Sequence, residues 1–117
     1  HLNQPPILAG ERFGEWGDLM EIASQHNNCY MKISGLGTTA GRELFTTENI
    51  KPYIEFVLDR FGSERCFCGG DWPVSLLGVD YAGTWDVYKN VIDELLLDQH
   101  QKQQVFSGNA ISFYSLV

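Results

Sequence analysis

The chain has 117 residues, of which 44 % are hydrophobic, 20 % charged and 13 % aromatic, and its formal net charge is −7. This is the composition of one folded domain rather than of a disordered segment, and the negative balance argues against a nucleic-acid partner, because phosphate backbones would be repelled. No apolar run approaches the roughly 20 residues that cross a bilayer, so no membrane partner is expected.

The opening His1-Leu2-Asn3-Gln4-Pro5-Pro6 has neither a signal-peptide pattern nor an initiator Met, which suggests a start inside a larger protein. Residues Gln4 to Arg12 read as a loop around Pro5, Pro6 and Gly10. Trp16, Leu19, Met20 and Ala23 then recur at helical spacing, closed by Asn27 and Asn28. Cys29 to Leu36 reads as a strand ended by Gly35 and Gly37, followed by a polar loop through Thr47. Ile50, Tyr53, Ile54, Val57, Leu58 and Phe61 form one apolar helical stripe, with Pro52 expected in the first turn and Gly62 as the stop. A second strand follows from Arg65 to Gly69. A third helix is predicted from Trp85 to Leu97, with Tyr88, Val91, Ile92, Leu95 and Leu96 on its buried face. Asp98 and Gln101 have the spacing of a capping box that opens a short fourth helix, which Gly108 and Asn109 are expected to break before a last apolar turn at Ile111, Phe113 and Tyr114.

Strands alternating with helices of this length imply an α/β fold with a parallel sheet built from βαβ units. Two strands make a poor sheet with unpaired edges, so something else should lie beside them. The three cysteines, Cys29, Cys66 and Cys68, lack the spacing of a disulfide framework and suit reduced thiols in a cytoplasmic setting. Cys66 and Cys68 could form half of a metal site, but no second pair exists. The alternative is two small apolar groups on one face of a buried strand.

The most informative stretch is Cys66-Phe67-Cys68-Gly69-Gly70-Asp71-Trp72-Pro73-Val74. A strand that stops at Gly-Gly-Asp sets the carboxylate at its C-terminal lip, where parallel α/β folds place their chemistry. Trp72 precedes a proline and is pushed toward extended backbone, so the acid sits on a stiff loop.

Four segments resemble the amidohydrolase-related hydrolases of the L-fuconolactonase type. His1-Leu2-Asn3-Gln4-Pro5 is similar to that family's Asp-His-x-Gly-Lys-Pro after the sixth barrel strand, and Met31-Lys32-Ile33-Ser34-Gly35-Leu36 to its Lys-x-Ser-Gly-Leu at the seventh. Phe61-Gly62-Ser63-Glu64-Arg65 with Gly69-Gly70-Asp71-Trp72-Pro73-Val74 resembles the Phe-Gly-x-x-Arg and Gly-Ser-Asp-Trp-Pro-Val around the eighth. Phe106-Ser107-Gly108-Asn109-Ala110-Ile111-Ser112-Phe113-Tyr114 resembles the closing Phe-x-x-Asn-Ala-x-x-Phe-Tyr. Gly70 stands where Ser is usual and Gln4 where Lys is usual. The resemblance implies the C-terminal part of a (β/α)8 TIM barrel, an incomplete barrel, since such folds take about 250 residues. The His-x-His pair of the first strand and strands two to five are missing.

By this resemblance the parent hydrolyses a sugar lactone or similar cyclic ester, and residues 1–117 are its C-terminal fragment, inactive alone. Asp71 is then the general base, ionised at neutral pH, and His1 stands on the same lip to orient water or polarise the carbonyl. Lys32 and Ser34 share a strand face and point toward that lip as substrate contacts, and Trp72 could stack on a sugar ring. A turn residue (Asp71), a frayed terminus (His1), a structural polar layer (Lys32, Ser34) and an ordinary aromatic contact (Trp72) are the competing readings. His26 and His100 read as surface or helix-end residues. The wider superfamily binds divalent ions through His-x-His, later histidines and the eighth-strand Asp, so the full-length parent could use one. With only His1 and Asp71 of that set here, no bound metal and no cofactor is expected. The expected partners are a small-molecule lactone or sugar acid, and either a second copy or the N-terminal half of the barrel. The alternatives are a metal-dependent decarboxylase of the same superfamily and a non-catalytic truncated product or interaction module.

Overall fold

The computed structural model describes residues 1–116. Helix α1 spans Gly14–Ser24 and buries Trp16 and Met20. Leu19, read as part of the same stripe, is exposed, because no other described element packs on that side of α1. The aromatic rings of Phe13, Trp16, Tyr53 and Phe56 join α1 to α3 (Thr47–Phe61), with Tyr53 edge to face against Phe13 and Trp16 and the other pairs tilted.

Strand β1 is Met31–Ile33, shorter than its sequence pattern. Gly35, at φ 70°, turns the chain into the short helix α2 (Leu36–Ala40), which lies in a stretch expected to be strand end and loop. Helix α3 is capped by Thr46, whose hydroxyl accepts the Asn49 N–H at 3.2 Å. This early start makes Pro52 the sixth helical residue instead of a first-turn one, so the Glu48 carbonyl loses its usual partner four residues on. Strand β2 is Cys66–Cys68. Helix α4 runs Tyr81–Glu94, four residues earlier than the apolar pattern, because Asp80 caps it by accepting the Gly83 N–H at 2.7 Å. It also stops before Leu95 and Leu96: Leu95 is still buried in the same core as Tyr88, Val91 and Ile92, whereas Leu96 is fully exposed.

Both halves of the capping box at Asp98 and Gln101 are present, at 2.8 and 2.9 Å, and open α5 (Gln99–Gln103). Gly108 and Asn109 do not break the chain's helical path. It widens into a π-type turn at Gln104–Gly108 and continues as α6 (Asn109–Phe113). Asparagine disfavours helices when its side chain bonds nearby backbone. Here the Asn109 amide donates instead to the carbonyls of Ser63 and, at 2.8 Å, Cys66, tying α6 to the start of β2.

The two strands pair in parallel with Lys32 opposite Phe67, and the ladder continues through the Gly69 N–H donating to the Ile33 carbonyl at 2.9 Å. Helix α3 forms the crossover of this βαβ unit. The other edge of β1 is met by the N-terminal segment, where the Leu2 N–H donates to the Lys32 carbonyl at 3.1 Å. Leu2 is buried and its carbonyl accepts the Trp16 indole N–H at 2.7 Å. On one sheet face, Met31, Ile33, Cys66 and Cys68 join Ile54, Val57, Phe61, Tyr88 and Val91 in a continuous core. The other face carries Lys32, Ser34, Phe67 and Gly69. Phe113 and Tyr114 cover Phe67 near its start. Among the described residues no helix is long and apolar enough to cross a membrane.

Candidate active site

The C-terminal ends of both strands and the N-terminal segment meet at one point. Ser34, fully buried one residue past β1, places its Oγ 2.7 Å from Nδ1 of His1. His1 Nε2 lies 3.5 Å from Oδ1 of Asp71, three residues past β2. The carboxylate can only accept, so it favours the tautomer with the proton on Nε2, and the Ser34 hydroxyl, which can donate or accept, then donates to Nδ1. The imidazole is half exposed and the carboxylate largely covered, with side-chain exposures of 49 % and 17 %. Asp71 has φ 52°, a left-handed conformation that costs a non-glycine residue on the order of 1–3 kcal/mol and concentrates at functional sites. Leu2, Asn3 and Gln4 also have positive φ, and this tight turn aims His1 back over the strand ends.

Lys32 is half buried on the same face as Ser34. Its stem crosses Gly69, where an added Cβ would lie 3.3 Å from the Lys32 Cδ. The structure therefore gathers His1, Lys32, Ser34 and Asp71 at one lip. Trp72 follows Asp71 with its indole 65 % exposed, which rules out an ordinary core contact.

Several supporting residues carried no functional signal in the sequence. A Cβ on Gly35 would stand 3.3 Å from His1 Cβ and 3.4 Å from Asp71 Oδ2, so this glycine makes room for the pair as well as for the turn. The Tyr88 hydroxyl, read only as part of an apolar helix face, accepts the Leu36 N–H at 3.5 Å and fixes the same turn from below. Burial raises its phenol above the ordinary range. Trp85 lies under the Asp71 loop, with Nε1 3.3 Å from where a Gly70 Cβ would be. Two buried polar atoms among the described residues lack a partner, Trp85 Nε1 and Ser75 Oγ, and both belong to groups that flank this loop. The Ser75 N–H itself donates to the Asp71 carbonyl at 2.8 Å.

The other candidates fall away from the lip. Cys66 and Cys68 lie on the core face, their thiols pushed up to about 12 by burial, which leaves them protonated and unsuited to bind metal. His26 follows α1, where its carbonyl accepts Arg65 at 2.9 Å, and His100 is exposed on α5. His1 and Asp71 supply one imidazole and one carboxylate, and among the described residues no three His, Cys, Asp or Glu side chains are placed to hold a metal ion. A catalytic zinc takes three protein ligands, so the residues of this chain do not by themselves fit one.

Residues 1–116 match the amidohydrolase family. The chain is 35 % identical over 118 residues to an L-fucono-1,5-lactonase of Burkholderia ambifaria, covering 99 % of this chain and 40 % of that one. It is 29 % identical over 129 residues to an L-fucono-1,5-lactonase of Burkholderia multivorans, covering 99 % and 42 %. An amidohydrolase from Burkholderia multivorans, crystallised with bound zinc, superposes with a TM-score of 0.90 at 23 % identity, covering all of this chain and 43 % of that one. The chain thus spans about two fifths of the length of these relatives.

Proposed function

The chain belongs to the amidohydrolase family, and from that premise we propose that it carries the base-bearing part of a hydrolase that opens a sugar lactone or similar cyclic ester. The observation that carries this reading is the relay Ser34–His1–Asp71, at 2.7 and 3.5 Å, on the open ends of parallel strands. Its similarity to two L-fucono-1,5-lactonases adds the substrate class. Asp71 takes a proton from water as that water attacks the ring carbonyl, and returns it to the departing ring oxygen. His1 holds the carboxylate and the water in line. Lys32 and Ser34 line the side of the site, and the exposed Trp72 indole offers a stacking surface to a sugar ring.

In this reading residues 1–117 are the C-terminal units of a (β/α)8 barrel. The partial coverage of every relative reported above supports this, as do the two-stranded sheet and the apolar hollow of about 520 Å³ beside Trp16, Leu19 and Met20. The occupant of that open side is the N-terminal portion of the same barrel. Three free thiols suit a cytoplasmic protein. The test is Asp71→Asn in the full-length protein, assayed against six-carbon aldonolactones. The kcat should fall by about 10²- to 10⁴-fold, as expected for loss of a general base, with an unchanged circular dichroism spectrum. Wild-type rates in the variant would remove Asp71 from the mechanism. The 117-residue chain alone, with an open barrel, should be inactive in the same assay.

A further inference from the structure

The geometry points to Lys32 as the group that receives the negative charge of the reaction, first on the oxyanion of the attacked carbonyl and then on the carboxylate of the ring-opened acid. This deepens the lactonase reading and rests on it.

Register carries the argument. Lys32 is paired with Phe67, yet its Cγ and Cδ lie against Gly69, two residues further along β2. The stem therefore leans along the sheet toward the C-terminal lip. Gly69 permits this, since any Cβ there would press on Cδ. Ser34, whose Cβ lies 3.5 Å from the same Gly69 position, shares that face and reaches His1, so the stem leans toward the relay. Among the described residues Lys32 is in no ion pair, not even with Asp71; of the other cations in none, Arg12, Arg42 and Lys89 are exposed and Arg65 donates to backbone carbonyls, whereas Lys32 is half buried beside the relay's strand ends. A half-buried cation without a counter-ion, beside a base engaged with His1, leaves the lip with two separate electrostatic roles.

The step balances as follows. Water oxygen bonds to the carbonyl carbon while its proton passes to Asp71, and the π pair of the carbonyl becomes an oxyanion facing Lys32. On collapse the ring C–O bond breaks, its electron pair leaves on the ring oxygen, and Asp71 returns the proton there. The hydroxy acid then loses its carboxylic proton to solvent, and its carboxylate remains opposite the ammonium.

The test uses the full-length protein and two ligands, a six-carbon aldonate and the neutral alditol of the same configuration, with binding read by calorimetry. The wild type should favour the aldonate by about ten- to a hundred-fold, as a charge-assisted hydrogen bond allows. Lys32→Met and Lys32→Gln should bind both ligands equally, and Lys32→Arg should keep most of the preference. Using two neutral variants guards against one that fails to fold. No preference in the wild type, or a preference that survives Lys32→Met, overturns the assignment. Asp71→Asn should abolish turnover and keep the preference. A Lys32-dependent preference without lactone turnover would sink the hydrolase reading and leave the anion site standing. Turnover with a Lys32-independent preference would do the reverse.

Discussion

The two faces of the β1–β2 sheet are built from alternate residues of the same short strands, and they are put to opposite uses. Met31, Ile33, Cys66 and Cys68 face α3 and α4, and each is less than a tenth exposed. Lys32, Ser34, Phe67 and Gly69 face the other way, where the cover is partial: Phe113 and Tyr114 shield Phe67 and are themselves about half exposed. A period of two lets one segment hold the fold on one side and present polar side chains on the other. The core face tolerates no polar group without a partner. The site face holds its polar groups in a short relay and shields them from below with aromatic rings. Substitutions on the first face should therefore act on stability, and those on the second on chemistry.

The sharpest break of that comparison is Phe61→Ala. Phe61 is 1 % exposed beneath the sheet, and removing such a ring costs about 3–5 kcal/mol through lost burial and the cavity left behind. Urea denaturation should show a lower midpoint by that amount, while the Ser34–His1–Asp71 relay keeps its geometry in the folded fraction, as read from the His1 imidazole resonances. A loss below 1 kcal/mol would mean that the core face is not what holds the sheet.

A smaller effect is expected where the two faces are joined. Asn109 bridges the carbonyls of Ser63 and Cys66, and so carries α6 and its aromatic pair onto the inner face. Asn109→Ala strands those carbonyls at a cost of about 1–3 kcal/mol. It should also raise the accessibility of Phe113 and Tyr114, measured by hydrogen exchange across α6. An unchanged urea midpoint would show that the aromatic cover holds without the amide.

These residues also show what a sequence can reveal. The capping box at Asp98 and Gln101 was readable because both halves are local and three residues apart. The stripe from Ile50 to Phe61 was readable because one face of α3 is wholly buried. That Asp71 and His1 would meet at one lip was legible through the Gly-Gly-Asp strand end and the family resemblance; their catalytic roles remain a proposal. Asn109 was read as a breaker because its true partners lie 46 and 43 residues away, beyond any local pattern. Arg65 was visible only as part of the Phe-Gly-x-x-Arg segment, and its role was not legible for the same reason: its guanidinium gathers the carbonyls of Ser24, His26 and Cys29 from across the molecule. Gly35 looked like a strand stop. Its second duty, making room for His1 and Asp71, depends on a contact that only the folded chain makes. Trp85 and Tyr88 fitted an apolar helix face so well that nothing separated a polar tip beneath the site from ordinary packing.

The smallest effect sharpens the comparison from the core side by titration. Burial raises the Cys66 and Cys68 thiols to about 12, whereas an unfolded thiol titrates near 8.5. The folded state then binds more protons than the unfolded state between these values. Stability is intact below the unfolded pKa and falls as pH rises through the window, by about 1.4 kcal/mol per pH unit for each thiol. Lys and Tyr groups also titrate there, so the measurement is the difference in alkaline slope between the wild type and the Cys66→Ala, Cys68→Ala double variant, which should be flatter by about that amount per thiol. A thiol reagent at pH 8 gives an independent reading: half-buried Cys29 should label in the native protein, and the two strand cysteines only after unfolding. Equal alkaline slopes, or rapid labelling of Cys66 and Cys68, would mean that water reaches the core face. The division of the sheet into a structural side and a chemical side would then fail, because a wet core face could carry chemistry too.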